Sequence, residues 1–405
     1  MFDNHEDLHS RFPHPHLKLN KELKEFYAFS GIHGFAIALI TIFEPIYIYL
    51  LFGEKLWMVF LFLGIRYTSF GLFAPLGARL PSKIGVKHTI LLSQPLLFIY
   101  FLGLWQGEVL GLFFFLLAPF AGLRSAIYWP AHHMFFTRFS DKGKRGKELS
   151  YRTMILSVSA GIAPFVGGII ITFFGGFTVL FVVVLTLLLA ATVPLFLSHE
   201  IKEDYHDHYT EWIKEIFSPR YYRKTVAFMA NGFETAVHSF VWPLFLFIIA
   251  INYEELGIIT SATFIFGVIF TYYAGRKSDS AGSEKLLTYG AFINAAVWPI
   301  KMFVQAPLDA FLANTVHRFG RTVAYVPFIS LFYDWAGEHK TTRDRLIVFR
   351  ETIINLSRGL ALFSIAAVVY FYSSDLRIWF MFSAISTLGL LFMTKHPFKA
   401  IRQPD

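Results

Sequence analysis

The chain alternates long apolar runs with short polar loops. Apolar runs fall near 27–52, 57–78, 89–105, 109–135, 153–174 and 177–198, and resume after a polar stretch near 225–251, 256–275, 286–304, 310–333, 349–371 and 378–394. Neither Ile169 to Phe174 nor Val179 to Ala191 contains a charge. A helix crosses a hydrocarbon core in about 20 residues. Segments apolar all round must be buried in protein or bathed in lipid, and twelve in a row exceed what one soluble core accommodates. The pattern predicts an all-α membrane protein with twelve transmembrane helices.

Composition strengthens this. Only 16% of the 405 residues are charged, against about a quarter in soluble domains, while 55% are hydrophobic and 48 are Phe. The charge is +8 with a pI near 9.4, but the basic residues sit in alternate loops rather than on one face, so nucleic acid is not an expected partner. Even-numbered loops carry Arg79, Lys83 and Lys87; Arg138, Lys142, Lys144, Arg145 and Lys147; Arg276, Lys277 and Lys285; and Lys340, Arg343 and Arg345. Odd-numbered loops, such as Gln106-Gly107-Glu108 and Asn252 to Glu255, are nearly free of positive charge. The positive-inside rule then predicts a multi-pass protein of the plasma (inner) membrane with both termini cytoplasmic. The expected units are a tail over 1–26, a six-helix bundle over 27–198, a cytoplasmic linker over 199–224, a second bundle over 225–394 and a tail over 395–405.

The two halves superpose at an offset of 197 or 198 residues. Gly34-Phe35 meets Gly232-Phe233, and Pro45 meets Pro243. The pattern R-x-x-x-Y-x-P occurs as Arg124, Tyr128, Pro130 and again as Arg321, Tyr325, Pro327. Arg152, Ile155, Ser159, Gly161, Ala163 and Phe165 meet Arg350, Ile353, Ser357, Gly359, Ala361 and Phe363. Several matches in order at one offset point to duplication. Two parallel six-helix halves imply a pseudo-two-fold axis along the membrane normal, with the binding site at the midplane between them and access alternating as one rocks on the other.

The chain resembles the major facilitator superfamily over essentially its whole length. That family's loop between helices 2 and 3, repeated between helices 8 and 9, reads roughly G-x-x-x-D-x-x-G-R-K. The second copy stands here as Gly275, Asp279 and Gly282, followed by Lys285. The first is degraded to Ala78, Ser82, Gly85 and Lys87, with no carboxylate in the loop. The resemblance implies a gating role for these loops. It also places Arg124 where members often carry a helix 4 arginine linked to proton coupling. Ser159, Ala163-Pro164 and Gly167-Gly168 look like a weakened helix 5 pattern found mainly in antiporters.

Ionisable groups inside spans are costly and mark pathways by default. The first run offers His33 and Glu44, nearly on one helical face; the seventh offers Asn231, Glu234 and His238, again on one face. Arg66 lies in the second run, Arg124 and Tyr128 in the fourth, His317, Arg318, Arg321 and Tyr325 in the tenth, and Asn355 and Arg358 in the eleventh. One reading takes these as the lining of a central cavity, with Glu44, Glu234 and Arg124 as proton-coupling candidates and Trp242 beside Pro243 as a wall. The other takes pairs such as Glu44–Arg66 as structural salt bridges.

No P-loop, H-E-x-x-H or Gly-rich dinucleotide turn occurs, so neither an enzyme nor an ATP-driven pump is expected. With no cysteine there is no thiolate metal site; His5, His9, His14 and His16 read as a disordered tail, and no metal or cofactor is expected. No signal peptide is expected either. The expected function is a secondary active transporter of a small anionic or zwitterionic solute: rocker-switch, proton-coupled, leaning toward efflux antiport, monomeric, with membrane lipids around it. A non-transporting or lipid-moving member of the same fold is the alternative.

Overall fold

The computed structural model describes residues 21–139, 145–200, 218–338 and 343–394. Residues 1–20 with the N-terminal histidines, the tail 395–405, linker residues 201–217 and loop residues 140–144 and 339–342 lie outside it, as do the side chains of residues 22–23, 133, 136–139, 145–154, 157, 269, 271–281, 337–338 and 343–344. The described residues hold twelve principal helices and no strand. They are α1 (Lys21–Thr41), α2 (Leu56–Gly77), α3 (Val86–Trp105), α4 (Leu117–Phe139), α5 (Arg145–Phe173), α6 (Gly176–Leu197), α7 (Tyr222–Ala236), α8 (Tyr253–Ala281), α9 (Ser283–Lys301), α10 (Pro307–Glu338), α11 (Arg343–Phe371) and α12 (Ile378–Leu388). By length and composition, Leu56–Gly77, Val86–Trp105, Gly107–His132, Gly176–Leu197 and Arg345–Phe371 each suffice to cross a membrane, and α1 with its continuation Glu44–Leu51 makes a sixth. Several of the others carry polar groups that the bundle itself buries: Asn231 and Glu234 on α7, Asn294 and Lys301 on α9, Asn314 and His317 on α10.

Two local breaks have functional consequences. The axis turns by 42° between α1 and Glu44–Leu51, where Pro45 opens the new helix without needing its missing N–H. In α7, a π turn at Val237–Val241 precedes Trp242–Ile248. It stands just ahead of Pro243, whose ring withholds a donor and crowds the carbonyl four residues back. A π turn adds a residue to the turn and so rotates the face presented downstream.

The helices pair in the order the internal repeat predicts. In the first half α1 packs on α5 and α6, α2 on α4, and α3 on α4 and α6; in the second α7 packs on α11 and α12, α8 on α10, and α9 on α10 and α12. The correspondence reaches single bonds. Ser159 on α5 donates to the Gly31 carbonyl on α1 at 3.3 Å, and Ser357 on α11 donates to the Met229 carbonyl on α7 at 2.7 Å.

The halves meet along α2–α11, α5–α8, and Glu44–Leu51 against Trp242–Ile248. These seams lie at the end of the bundle away from the chain termini. There the hydrophobic core is one cluster drawn from both halves, including Phe60, Leu63 and Phe181 from the first and Phe245, Leu256 and Leu362 from the second. At the termini end it breaks into separate clusters confined to one half each, the two largest around Phe26, Tyr128 and Phe135 and around Phe228, Phe328 and Phe349. The core therefore forks.

Candidate functional site

A cavity of about 400 Å³ occupies the fork, walled by α1, α4 and α5 of the first half and α8, α10 and the bent part of α7 of the second. The first half contributes His33, Arg124, Tyr128, Trp129 and His132. Arg124 is buried; its Nη2 donates to His33 Nε2 at 2.7 Å, and its guanidinium stands 4.3 Å over the Tyr128 ring. The His33 and Tyr128 rings stack at 5.1 Å. Arg124 is held by one imidazole nitrogen and one aromatic face rather than by an acid.

The second half contributes His238, Ser239, Trp242, Asn314 and Arg318 to the wall. Behind it lies a charged cluster. Glu234, 3% exposed at its side chain, has Arg321 Nε at 3.3 Å and His317 Nε2 at 3.5 Å. Close charge-assisted bonds run about 2.7–2.9 Å, so this carboxylate is loosely held. The His317 ring lies tilted beside His238, ring centroids 4.9 Å apart, and meets Trp298 edge-on at 4.6 Å.

The structure separates residues that helical periodicity joins. Glu44 lies beyond the α1 bend and outside the cavity wall, and accepts from Arg66 and from the Tyr100 hydroxyl. Arg66 also reaches Tyr100 at 3.2 Å. That triad ties α2 and α3 to the tip of the first helix. The π turn likewise splits Asn231 and Glu234 from His238: only His238 faces the cavity. Asn355 accepts from Arg358 at 3.3 Å, and Arg358 lies 4.7 Å over the Tyr67 ring on α2, across the seam between the halves. Tyr325, 5.5 Å from the Arg321 guanidinium, packs with Phe328 in the termini-end core of the second half. Neither Asn355, Arg358 nor Tyr325 lines the cavity.

Residues 26–228 match the sequence profile of the Major Facilitator Superfamily. The chain belongs to the major facilitator superfamily. It is accordingly a multi-pass membrane protein of a transporter family with a small solute as substrate. Among solved structures this facilitator resembles a D-xylose–proton symporter, at 14% identity and a TM-score of 0.70 over 94% of this chain and 98% of the other. It also resembles the peptide transporter POT in complex with sulfate, at 12% identity and a TM-score of 0.72 over 92% and 93%. At such identities the likeness is one of fold. No curated protein matches the sequence.

The facilitator's two loop motifs fold alike where both are described. Gly85 and Gly282, 197 positions apart, precede α3 and α9 with φ of +92° and +85°, a region open to glycine and strained for other residues. Gly275 and Asp279 fall among the undescribed side chains. In the degraded first copy Ser82 bonds only locally, to the Arg79 carbonyl at 2.7 Å. An acid from another element reaches this loop. Glu200, just after α6, accepts the backbone N–H groups of Lys87 at 3.0 Å and His88 at 2.9 Å and pairs with the His88 ring, while Lys87 Nζ donates to the Ser198 carbonyl at 2.7 Å. A carboxylate at a helix N-terminus meets unpaired donors and the positive end of the dipole. Glu200→Ala is expected to speed hydrogen exchange at the Lys87 and His88 amides at least tenfold and leave the far end of α3 protected.

Two functional candidates carry no sequence signal. Glu200 is one, 113 residues from the amide it caps. Lys301 is the other: fully buried, without a hydrogen-bond partner, with Nζ 4.1 Å from the Trp242 ring centre and 4.6 Å from Trp298. A lysine near the end of an apolar run ordinarily reaches back to the interface, so nothing in the pattern singles it out.

Proposed function

We propose that this facilitator is a secondary active transporter that works by rocker-switch alternating access. It couples a small anionic or zwitterionic solute to protons and runs as an exporter exchanging one for the other. The observation that carries the reading is the forked core. One joint core seals the far end, separate cores leave the termini end parted, and the cavity lies where they diverge. Rocking the halves about the cavity would reverse the arrangement, because each half keeps its own internal pairing.

The loosely paired Glu234 beside His317 and His238 supports protons as the coupling ion, and a proton is named for one structural neighbour, the xylose symporter. The weakened antiporter pattern on α5 supports exchange. The basic even-numbered loops support a plasma-membrane protein with the termini, and hence the open end, in the cytoplasm.

The absence of native cysteine makes a direct test simple. Spin labels at Lys83→Cys and Lys285→Cys report the termini end; labels at Glu54→Cys and Asp375→Cys report the far end. In liposomes the two distances should vary reciprocally, one shortening in the population where the other lengthens. A single fixed arrangement at all pH values would instead favour a non-transporting or lipid-moving role.

A further inference from the structure

The duplicated arginines differ in one respect that identifies a ligand. Arg321 on α10 has its acid, Glu234, at 3.3 Å. Its counterpart Arg124, 197 positions earlier, has none among the described residues, and the position equivalent to Glu234 at an offset of 198 is Ala36, which is buried. Arg124 nonetheless stands in the cavity wall, 7% exposed, with its Nε hydrogen-bonded to nothing. A guanidinium carries five N–H donors and no acceptor; here one donor is spent on His33. A buried cation in that condition is costly unless something arrives to pair with it.

The opposite half repeats the imbalance by different means. Arg318 also faces the cavity, its guanidinium 4.4 Å over the Phe264 ring, with no carboxylate among the described residues. No Asp or Glu contributes to the wall, whose remaining surface is chiefly apolar, from Ile37, Leu156, Pro164, Leu246 and Leu256. Glu234 cannot serve, since it is engaged behind the wall by Arg321 and His317.

We infer that the cavity binds an organic carboxylate, its acid group on Arg124, its apolar body along the wall, and Arg318 approaching from the other half. The inference rests on the reading of this cavity as the transporter's substrate site and narrows it. Planar, two-oxygen acids match the fork of a guanidinium. A sugar or other neutral polyol would accept from the arginines but leave both without a counter-charge. The positive charges come from both halves, so an anion between them also removes a repulsion that opposes their approach.

The test uses the full-length protein in detergent with benzoate and 2-naphthoate against their neutral isosteres, benzamide and 2-naphthamide. Ligands that bind the folded state raise the melting temperature, and equilibrium dialysis gives the affinity. The acids should stabilise the protein and the amides should not. Arg124→Gln should weaken acid binding at least tenfold, Arg318→Gln should weaken it less, and Arg124→Lys, kept in case the glutamine variant fails to fold, should retain part of it. Amides that stabilise as well as acids, an Arg124→Gln or Arg124→Lys protein that binds as wild type does, or no stabilisation by either acid would overturn the inference. The spin-label distances on the same protein separate the two ideas: exchange without acid binding removes this inference alone, and acid binding without exchange removes the transport reading.

Discussion

Replacing Glu234 by glutamine is expected to abolish proton-coupled movement of the solute while leaving solute exchange intact. Glutamine keeps the shape of the side chain and can still accept from Arg321 Nε, now 3.3 Å from the carboxylate, but it cannot take up or release a proton. It imitates the protonated state permanently. In liposomes containing a pH dye, substrate addition should then drive proton flux at least tenfold more slowly than in wild type. Solute–solute exchange should continue at a rate near that of wild type. Glu234→Ala is a harsher change, because it strands Arg321 and His317 beside an empty space, and breaking a buried pair costs about 3–5 kcal/mol. Undiminished proton flux in the glutamine variant would remove Glu234 from the coupling machinery. Glu44→Gln serves as the contrast: Glu44 is paired with Arg66 and Tyr100 outside the cavity wall, so the effect should fall on stability rather than on coupling.

The second large effect is expected from Gly359→Leu on the α2–α11 seam. A Cβ on Gly359 would fall 2.1 Å from Thr68 Oγ1, 2.8 Å from Thr68 N and 3.1 Å from the Gly64 carbonyl. Two of these are backbone atoms that no rotamer change can clear. The helices must part, and what parts is the far-end seal. Adding a methyl to a packed site costs about 1–3 kcal/mol, whereas carrying a two-state equilibrium from 1:99 to 99:1 takes about 5.5 kcal/mol. Gly359→Ala should therefore shift the populations in part, and Gly359→Leu should hold the far end open. The Glu54–Asp375 label distance should lengthen to a single population, with transport reduced at least tenfold. A leucine variant with wild-type distances and rate would show that this seam is not the gate.

The helical architecture was legible because a lipid-facing helix needs apolar side chains on its outer face, and such runs survive any rearrangement inside the bundle, although α7, α9 and α10 also carry polar groups turned into the protein. The helix ends were less so: α8 and α10 continue past their apolar runs into polar sequence, to Ala281 and Glu338, since a helix does not stop where lipid does. The duplication was legible down to Ser159 and Ser357, which make matching bonds. Periodicity misjudged the site at two places where the helix itself is irregular. The 42° bend takes Glu44 away from His33, and the π turn takes Glu234 behind the wall that His238 faces. Glu200 reaches Lys87 from 113 residues away and Lys301 reaches the Trp242 ring on another helix, and no local pattern announces such partners.

The far-end seal also sets a timetable for the protein's synthesis. Thr68 and Gly359, which touch across the seam, stand 291 positions apart. At about 5–20 residues per second, roughly 15–60 s separate the emergence of the two. Throughout that interval the first bundle presents to lipid, or to the insertion machinery, a face shaped to fit a helix not yet made. The joint core thus cannot be completed before α11 is made, and a ribosome stalled ahead of it would leave a half that is helical and internally packed yet unable to close its far end.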